Sequence, residues 1–147
     1  MTIAEKETIG CPACKVEQDV DVYQTINAME NPELVSKLMA GEINVFKCAG
    51  CGHVAQIHTP LLFNDHRMDL KIQFYPEHLL VENPGYVFKD YLRMLKEMEK
   101  FRQEYGLFMP DSNKPGNQLV VFSMKEMVSQ IRFRTGLFEM AKSGLED

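Results

Sequence analysis

The feature that most constrains this chain is a pair of short cysteine turns, "TIGCPACKVEQ" near the start and "FKCAGCGHVAQ" further on. All four cysteines of the 147 residues lie in them, as Cys11/Cys14 and Cys48/Cys51. A tetrahedral zinc ion takes four soft ligands at about 2.3 Å, and a Cys-x-x-Cys turn supplies two of them from one tight loop. Two such turns brought together complete the shell. Iron fits the same four thiolates. Gly52, directly after Cys51, suits the left-handed backbone that knuckle turns favour, whereas Lys15 in the matching place suits it less. His53 is a spare donor, but with four cysteines at hand it reads as a surface residue.

Two other uses of the cysteines compete with this one. A dithiol redox centre places Cys-x-x-Cys at the first turn of a helix that follows a strand, where the helix dipole lowers a thiol pKa. After "CPAC" the sequence instead alternates Val16, Val20 and Val22 with Glu17, Asp19 and Asp21, the period of a half-buried strand running to about Ile26. The remaining reading is four core cysteines without metal. Disulfides are disfavoured because "MTIAEKETIG" has no apolar signal region, so the expected compartment is the cytoplasm, where thiols stay reduced. The longest apolar runs, such as "LVVF", are far short of the roughly 20 residues that span a bilayer.

The gap of 33 residues between Cys14 and Cys48 is longer than compact zinc ribbons use. A helix accounts for most of the excess. In "NPELVSKLMAG", Asn31 is placed to cap, Pro32 fits the first helical position, Leu34 and Leu38 share a face with Val35 or Met39, and Gly41 can close the last turn. "EINVFKC" then reads as a strand entering the second turn, and "HVAQIHTPLLFND" as a strand leaving it. "NDHR" is a turn, and Leu70, Ile72 and Phe74 alternate in a further strand. Residues 1–8 read as a frayed terminus.

"ENPGY" interrupts the strands and divides the chain into 1–83, a β module, and 84–147, a helical part. The two parts differ in charge. Residues 1–83 hold 6 basic and 12 acidic side chains, net −6, and residues 84–147 hold 10 and 9, net +1. From Tyr86 to Tyr105 the period is helical, with Phe88, Tyr91, Leu92, Leu95, Met98, Arg102 and Tyr105 on one face and Gly106 at the end. "MPDSNKPGN" reads as a loop and "QLVVF" as a short strand. Ser123 and Glu126 form a capping box opening a last helix, which Gly136 ends or kinks. The expected fold is α+β: a zinc-ribbon-like antiparallel β module with an inserted short helix, followed by a helical C-terminal part.

The segments "CPAC", "INAMENPELVSKLMAGEINVFKCAGCGH" and "TPLLFNDHRMDLKIQFYP", within about residues 8–80, resemble the CpXC domain, a bacterial and archaeal module with paired cysteine motifs. The resemblance implies a paired-cysteine module and brings no assigned activity with it.

Other groupings carry less chemistry. Lys89, Arg93, Lys96 and Lys100 make one basic stripe on the long helix, but Asp90, Glu97, Glu99 and Glu104 interleave them. Arg132, Arg134 and Lys125 form a second basic group. With a net charge of −5 these read as solvated faces and argue against nucleic acid as the partner. Asp65, His66 and His58 are acid–base candidates, yet they lie at a hairpin turn with no nucleophile beside them. Met94, Met98, Met124 and Met127 read as packing, although exposure of Tyr91, Met94, Met98 and Phe101 together would mark an interface, most simply that of a homodimer. The functional expectation is a non-catalytic protein with one structural zinc on Cys11, Cys14, Cys48 and Cys51, binding a protein partner through its C-terminal helices. A nucleic-acid-associated zinc ribbon and a thiol oxidoreductase are the alternatives.

Overall fold

The structure, a computed structural model, describes residues 1–105 and 118–144. Its elements run β1 (Ile3–Gly10), β2 (Glu17–Asn27), α1 (Pro32–Met39), β3 (Val45–Lys47), β4 (Val54–Gln56), β5 (Leu61–Asp65), β6 (Leu70–Phe74), α2 (Glu77–Glu82), α3 (Pro84–Tyr105), β7 (Gln118–Val121) and α4 (Met124–Lys142). Among the described residues the strands form a five-stranded sheet of order β1-β2-β5-β6-β7 and a separate β3-β4 pair. The fold is α+β, as the sequence leads one to expect.

The first cysteine turn joins β1 to β2, and the second joins β3 to β4. Residues 1–8 are therefore not a frayed end. They pair with β2 from Ile3↔Thr25 to Gly10↔Glu17, and Thr8 Oγ1 donates to Asp19 Oδ1 at 2.7 Å across the ladder. Of β1's own side chains only Ile9 is even half-buried, so no apolar alternation advertises the strand; its length of main-chain pairing with β2 holds it.

Two of the pairings are parallel, β2 with β5 and β6 with β7. Parallel neighbours need long connections. The first is made by α1 and the β3-β4 hairpin, the second by α2, α3 and the residues beyond. One sheet face carries Ile26, Leu61, Phe63, Ile72, Phe74 and Val121, and packs on Leu34 and Leu38 of α1 and Met127 and Ile131 of α4. Thr25, Leu62 and Gln73, alternating with these, look the other way across a cavity of about 470 Å³ toward Tyr86, Asp90 and Met94 of α3. The buried Tyr75 fastens that helix, donating its hydroxyl to Asp90 Oδ2 at 2.7 Å.

Several local expectations change in detail. Asn31 starts α1 but its side chain does not cap it; the amide donates to Glu33 Oε1, and the side-chain oxygen that accepts local backbone N–H groups belongs to Asn27. Gly41 does close the helix, at φ +76°. The strand expected over 53–65 is two, because residues 57–60, ending in Pro60, carry the chain from the small sheet to the large one. A short helix, α2, follows Pro76 with no polar cap to signal it. Ser123 caps α4 as expected, its Oγ accepting from Glu126 N at 3.1 Å, while Glu126 Oε2 reaches back one residue beyond the cap and accepts from Phe122 N at 3.1 Å. Helix α4 continues through Gly136 without a break.

The inward face of α3 is turned from the expected one. Val87 is buried, and Tyr91, Met94 and Leu95 are half-buried, while Phe88 and Leu92 are exposed. The side chains of Met98, Phe101, Arg102 and Tyr105 lie outside those described, as do Gly106 and the expected loop at 109–117.

Candidate metal centre

The two cysteine turns repeat the same backbone pattern. In the first, Lys15 N donates to the Cys11 oxygen at 2.8 Å and Cys11 N to the Val16 oxygen at 2.9 Å. In the second, Gly52 N donates to the Cys48 oxygen at 2.9 Å and Cys48 N to the His53 oxygen at 2.8 Å. The fifth residue of each is left-handed, Lys15 at φ 63° and Gly52 at φ 78°. Lys15 thus adopts the conformation for which it is poorly suited, and the turn geometry overrides a residue preference of about 1–2 kcal/mol.

The turns face each other. Cys11 Sγ lies 3.6 Å from Cys51 Sγ, and Cys14 Sγ lies 3.5 Å from Cys48 Sγ. All four sulfurs fall within 4.8 Å of one another. A tetrahedral ion with sulfur ligands at 2.3 Å has sulfur–sulfur edges of about 3.8 Å. The four cysteines therefore stand within metal-binding distance and fit such an ion. His53 is half-buried behind the second turn and is not among the four donors.

Backbone amides set the charge preference of the sulfurs. The N–H groups of Cys14 and Ala13 lower the pKa of Cys11, against its burial. Those of Cys51, first, and Gly50 bring Cys48 down to about 6, again against burial. Cys14 receives the Val16 N–H, but proton sharing with Cys48 and burial outweigh it and push the thiol up to about 12. Cys51 receives the His53 N–H and is likewise raised, by Cys11 and by burial. Ion binding strips protons from thiols. At pH 8, uptake of one divalent ion is expected to release at least two protons, those of Cys14 and Cys51. Titration calorimetry in buffers of different ionisation enthalpy measures this, and release of fewer than one proton would contradict the assignment.

Matched against family models, the chain fits the one described as CpXC protein over residues 9–141. The chain belongs to the CpXC family. For this CpXC member the match covers both cysteine turns and runs past residue 80, where its recognisable motifs end, through β7 and most of α4. No curated protein and no solved structure matches it.

Two residues that the motifs do not single out hold the cysteine turns in place. Gln18, on β2, donates to the Lys47 oxygen at 2.7 Å and accepts from Ala49 N at 3.0 Å, gripping the second turn from the first hairpin. Asn44 does the same lower down: its Oδ1 accepts from Tyr23 N at 2.7 Å and its Nδ2 donates to the Tyr23 oxygen at 2.9 Å. Asn44 is buried and left-handed at φ 54°, so the strand expected over 42–48 begins only at Val45, three residues late. A signal exists for each. Gln18 is neutral in an acidic run, and Asn tolerates the left-handed region. Asn44→Ala removes both bonds and strains the backbone, so an unfolding free-energy loss of about 2–4 kcal/mol is expected by urea titration. Asn44→Gly, which relieves only the strain, should lose less.

The acid–base candidates do not assemble. Asp65 is buried and engaged by Arg67, whose Nη2 lies 2.8 Å from Oδ2 and whose backbone N–H donates to Oδ1. His66 lies beside Asn64, and His58 packs edge-on against His78 with ring centres 5.9 Å apart. In the basic stripe, Arg93 is held between Asp90 at 2.7 Å and Glu97 at 3.2 Å. Among the described residues, no helix is long and apolar enough to cross a membrane.

Proposed function

We propose that this CpXC protein is a non-catalytic interaction module in which one structural zinc ion, held by Cys11, Cys14, Cys48 and Cys51, fixes two hairpins and the helices bind a protein partner. Four thiolates fill a tetrahedral shell and leave no position for water or substrate, so the ion's chemistry is that of a clamp. The observation that carries the interaction reading is the exposed apolar surface of the helices. Phe88 and Leu92 stand one turn apart on α3, and Phe133, Leu137 and Met140 follow i, i+4, i+7 on α4, each 46–60% exposed. Apolar stripes of this kind mark protein–protein contacts. The simplest partner is a second copy of the chain.

Light scattering across a concentration series, together with affinity capture, tests this reading. A Phe88→Asp/Leu92→Asp variant and a Phe133→Asp/Leu137→Asp variant should lose self-association or a captured partner without losing metal. A monomer whose captured proteins are the same in wild type and both variants would refute it. Protein purified without added metal should carry about one zinc per chain; iron in its place would revise the ion and leave the clamp.

A further inference from the structure

We infer a binding site for a free medium-chain carboxylic acid in the groove between the end of α1 and the first half of α4. The groove has a volume of about 360 Å³, within the range of small-molecule sites. Its floor is apolar: Leu38 and Ile43 are buried, and Met39, Met124 and Val128 are half-buried. Lys125 and Arg132 stand at its rim on α4, seven residues and so about 10.5 Å apart along the helix. Among the described residues neither is paired with a carboxylate, and the lining contains no Asp or Glu. In a chain of net charge −5, a groove carrying two unneutralised cations and no anion selects for a negative ligand.

The remaining polar groups narrow the ligand further. Gln56 Nε2 is committed to the Asn44 oxygen at 2.9 Å. The Ser36, Leu38 and Lys37 carbonyls of α1 are taken by the amides of Ala40, Gly41 and Glu42. Both charged groups of the groove are donors, Lys125 and Arg132, with the Ser129 hydroxyl on the same helix between them in sequence and apolar contact below. An extended peptide laid in it would have to find an acceptor for every N–H group it buries, because each one left unpaired costs desolvation. An alkyl chain ending in a carboxylate has only acceptors to satisfy and hydrocarbon to bury. The two methionines adapt to a chain of variable length. This site is separate from the exposed helix stripes and does not depend on the interaction reading.

The test uses the full-length, metal-loaded protein with ¹³C-methyl methionine and sodium decanoate below its micellar range. Saturable one-to-one binding is expected, with shifts confined to Met39 and Met124 and with decyltrimethylammonium inert. Lys125→Glu/Arg132→Glu should weaken binding about tenfold or more while leaving the melting temperature unchanged. Val128→Trp, which fills the groove, should abolish it. Non-saturable shifts, equal binding of the cationic analogue, or indifference to charge reversal would overturn the site. So would binding confined to vesicles of anionic phospholipid or to an acidic peptide.

Discussion

Replacing Cys48 by serine is expected to abolish stoichiometric metal binding and to release the β3-β4 hairpin while the five-stranded sheet stays folded. The reason is the separation of two clusters of buried residues. Cys11, Phe46 and Cys48 form a small one, edged by Ile9, Val20 and Ile57, apart from the main core under α1 and α4. Strands β3 and β4 are three residues each, and an isolated two-stranded hairpin is marginal in water. Structural zinc sites supply about 10–16 kcal/mol of apparent binding free energy, more than Phe46 and the Gln18 and Asn44 clamps replace. From the sequence alone, loss of a ligand points to collapse of the whole β module; the geometry confines it to residues around 43–57 and the tip of the first hairpin. Hydrogen exchange read by mass spectrometry checks this. Protection should vanish over β3 and β4 and persist over β5, β6 and β7, and chelation of the wild type should reproduce the pattern. Unchanged protection over β3 and β4 would show that the sulfurs clamp nothing.

What the sequence makes legible are features whose cause is local. The Cys-x-x-Cys spacing dictates the two turns; Pro32 and Gly41 bound α1; the alternation of Leu70, Ile72 and Phe74 marks β6; Ser123 and Glu126 open α4. The cysteines come together because each turn sits at the tip of a hairpin, and spacing alone suggests that pairing. The features that escape are those with distant causes. β1 has no apolar face to display, so only its partner β2 reveals it. The parallel joins of β2 to β5 and β6 to β7 link residues far apart in sequence, and no local period encodes them. Asn44 illustrates the limit: one residue breaks a strand by its left-handed backbone and then uses its side chain to grip Tyr23, neither of which its neighbours announce. The inward face of α3 is set by Tyr75 reaching Asp90, a contact between a strand end and a helix that the helix's own periodicity cannot choose.

Phe63→Ala should produce the opposite phenotype to Cys48→Ser: a large loss of global stability with the metal centre intact. Phe63 is fully buried on β5, where it pairs in register with Ile26 of β2 and belongs to the main core with Ile72, Met127 and Ile131. Truncating a phenylalanine in such a setting costs about 3–5 kcal/mol, part from lost transfer and part from the cavity left between sheet and helices. The sulfur cluster shares no residue with that core, so affinity for zinc, measured by competition with a chromogenic chelator under conditions where the variant is still folded, should match the wild type. The two substitutions should also add when the wild type, both single variants and the double variant are unfolded by urea at the same total zinc concentration, within about 0.5 kcal/mol, as expected for sites without common partners. A Phe63→Ala protein that binds zinc much more weakly than wild type would mean that sheet and knuckles form one cooperative unit. In that case the ion would be stabilising the whole fold through β2, and the local release expected of Cys48→Ser would become global.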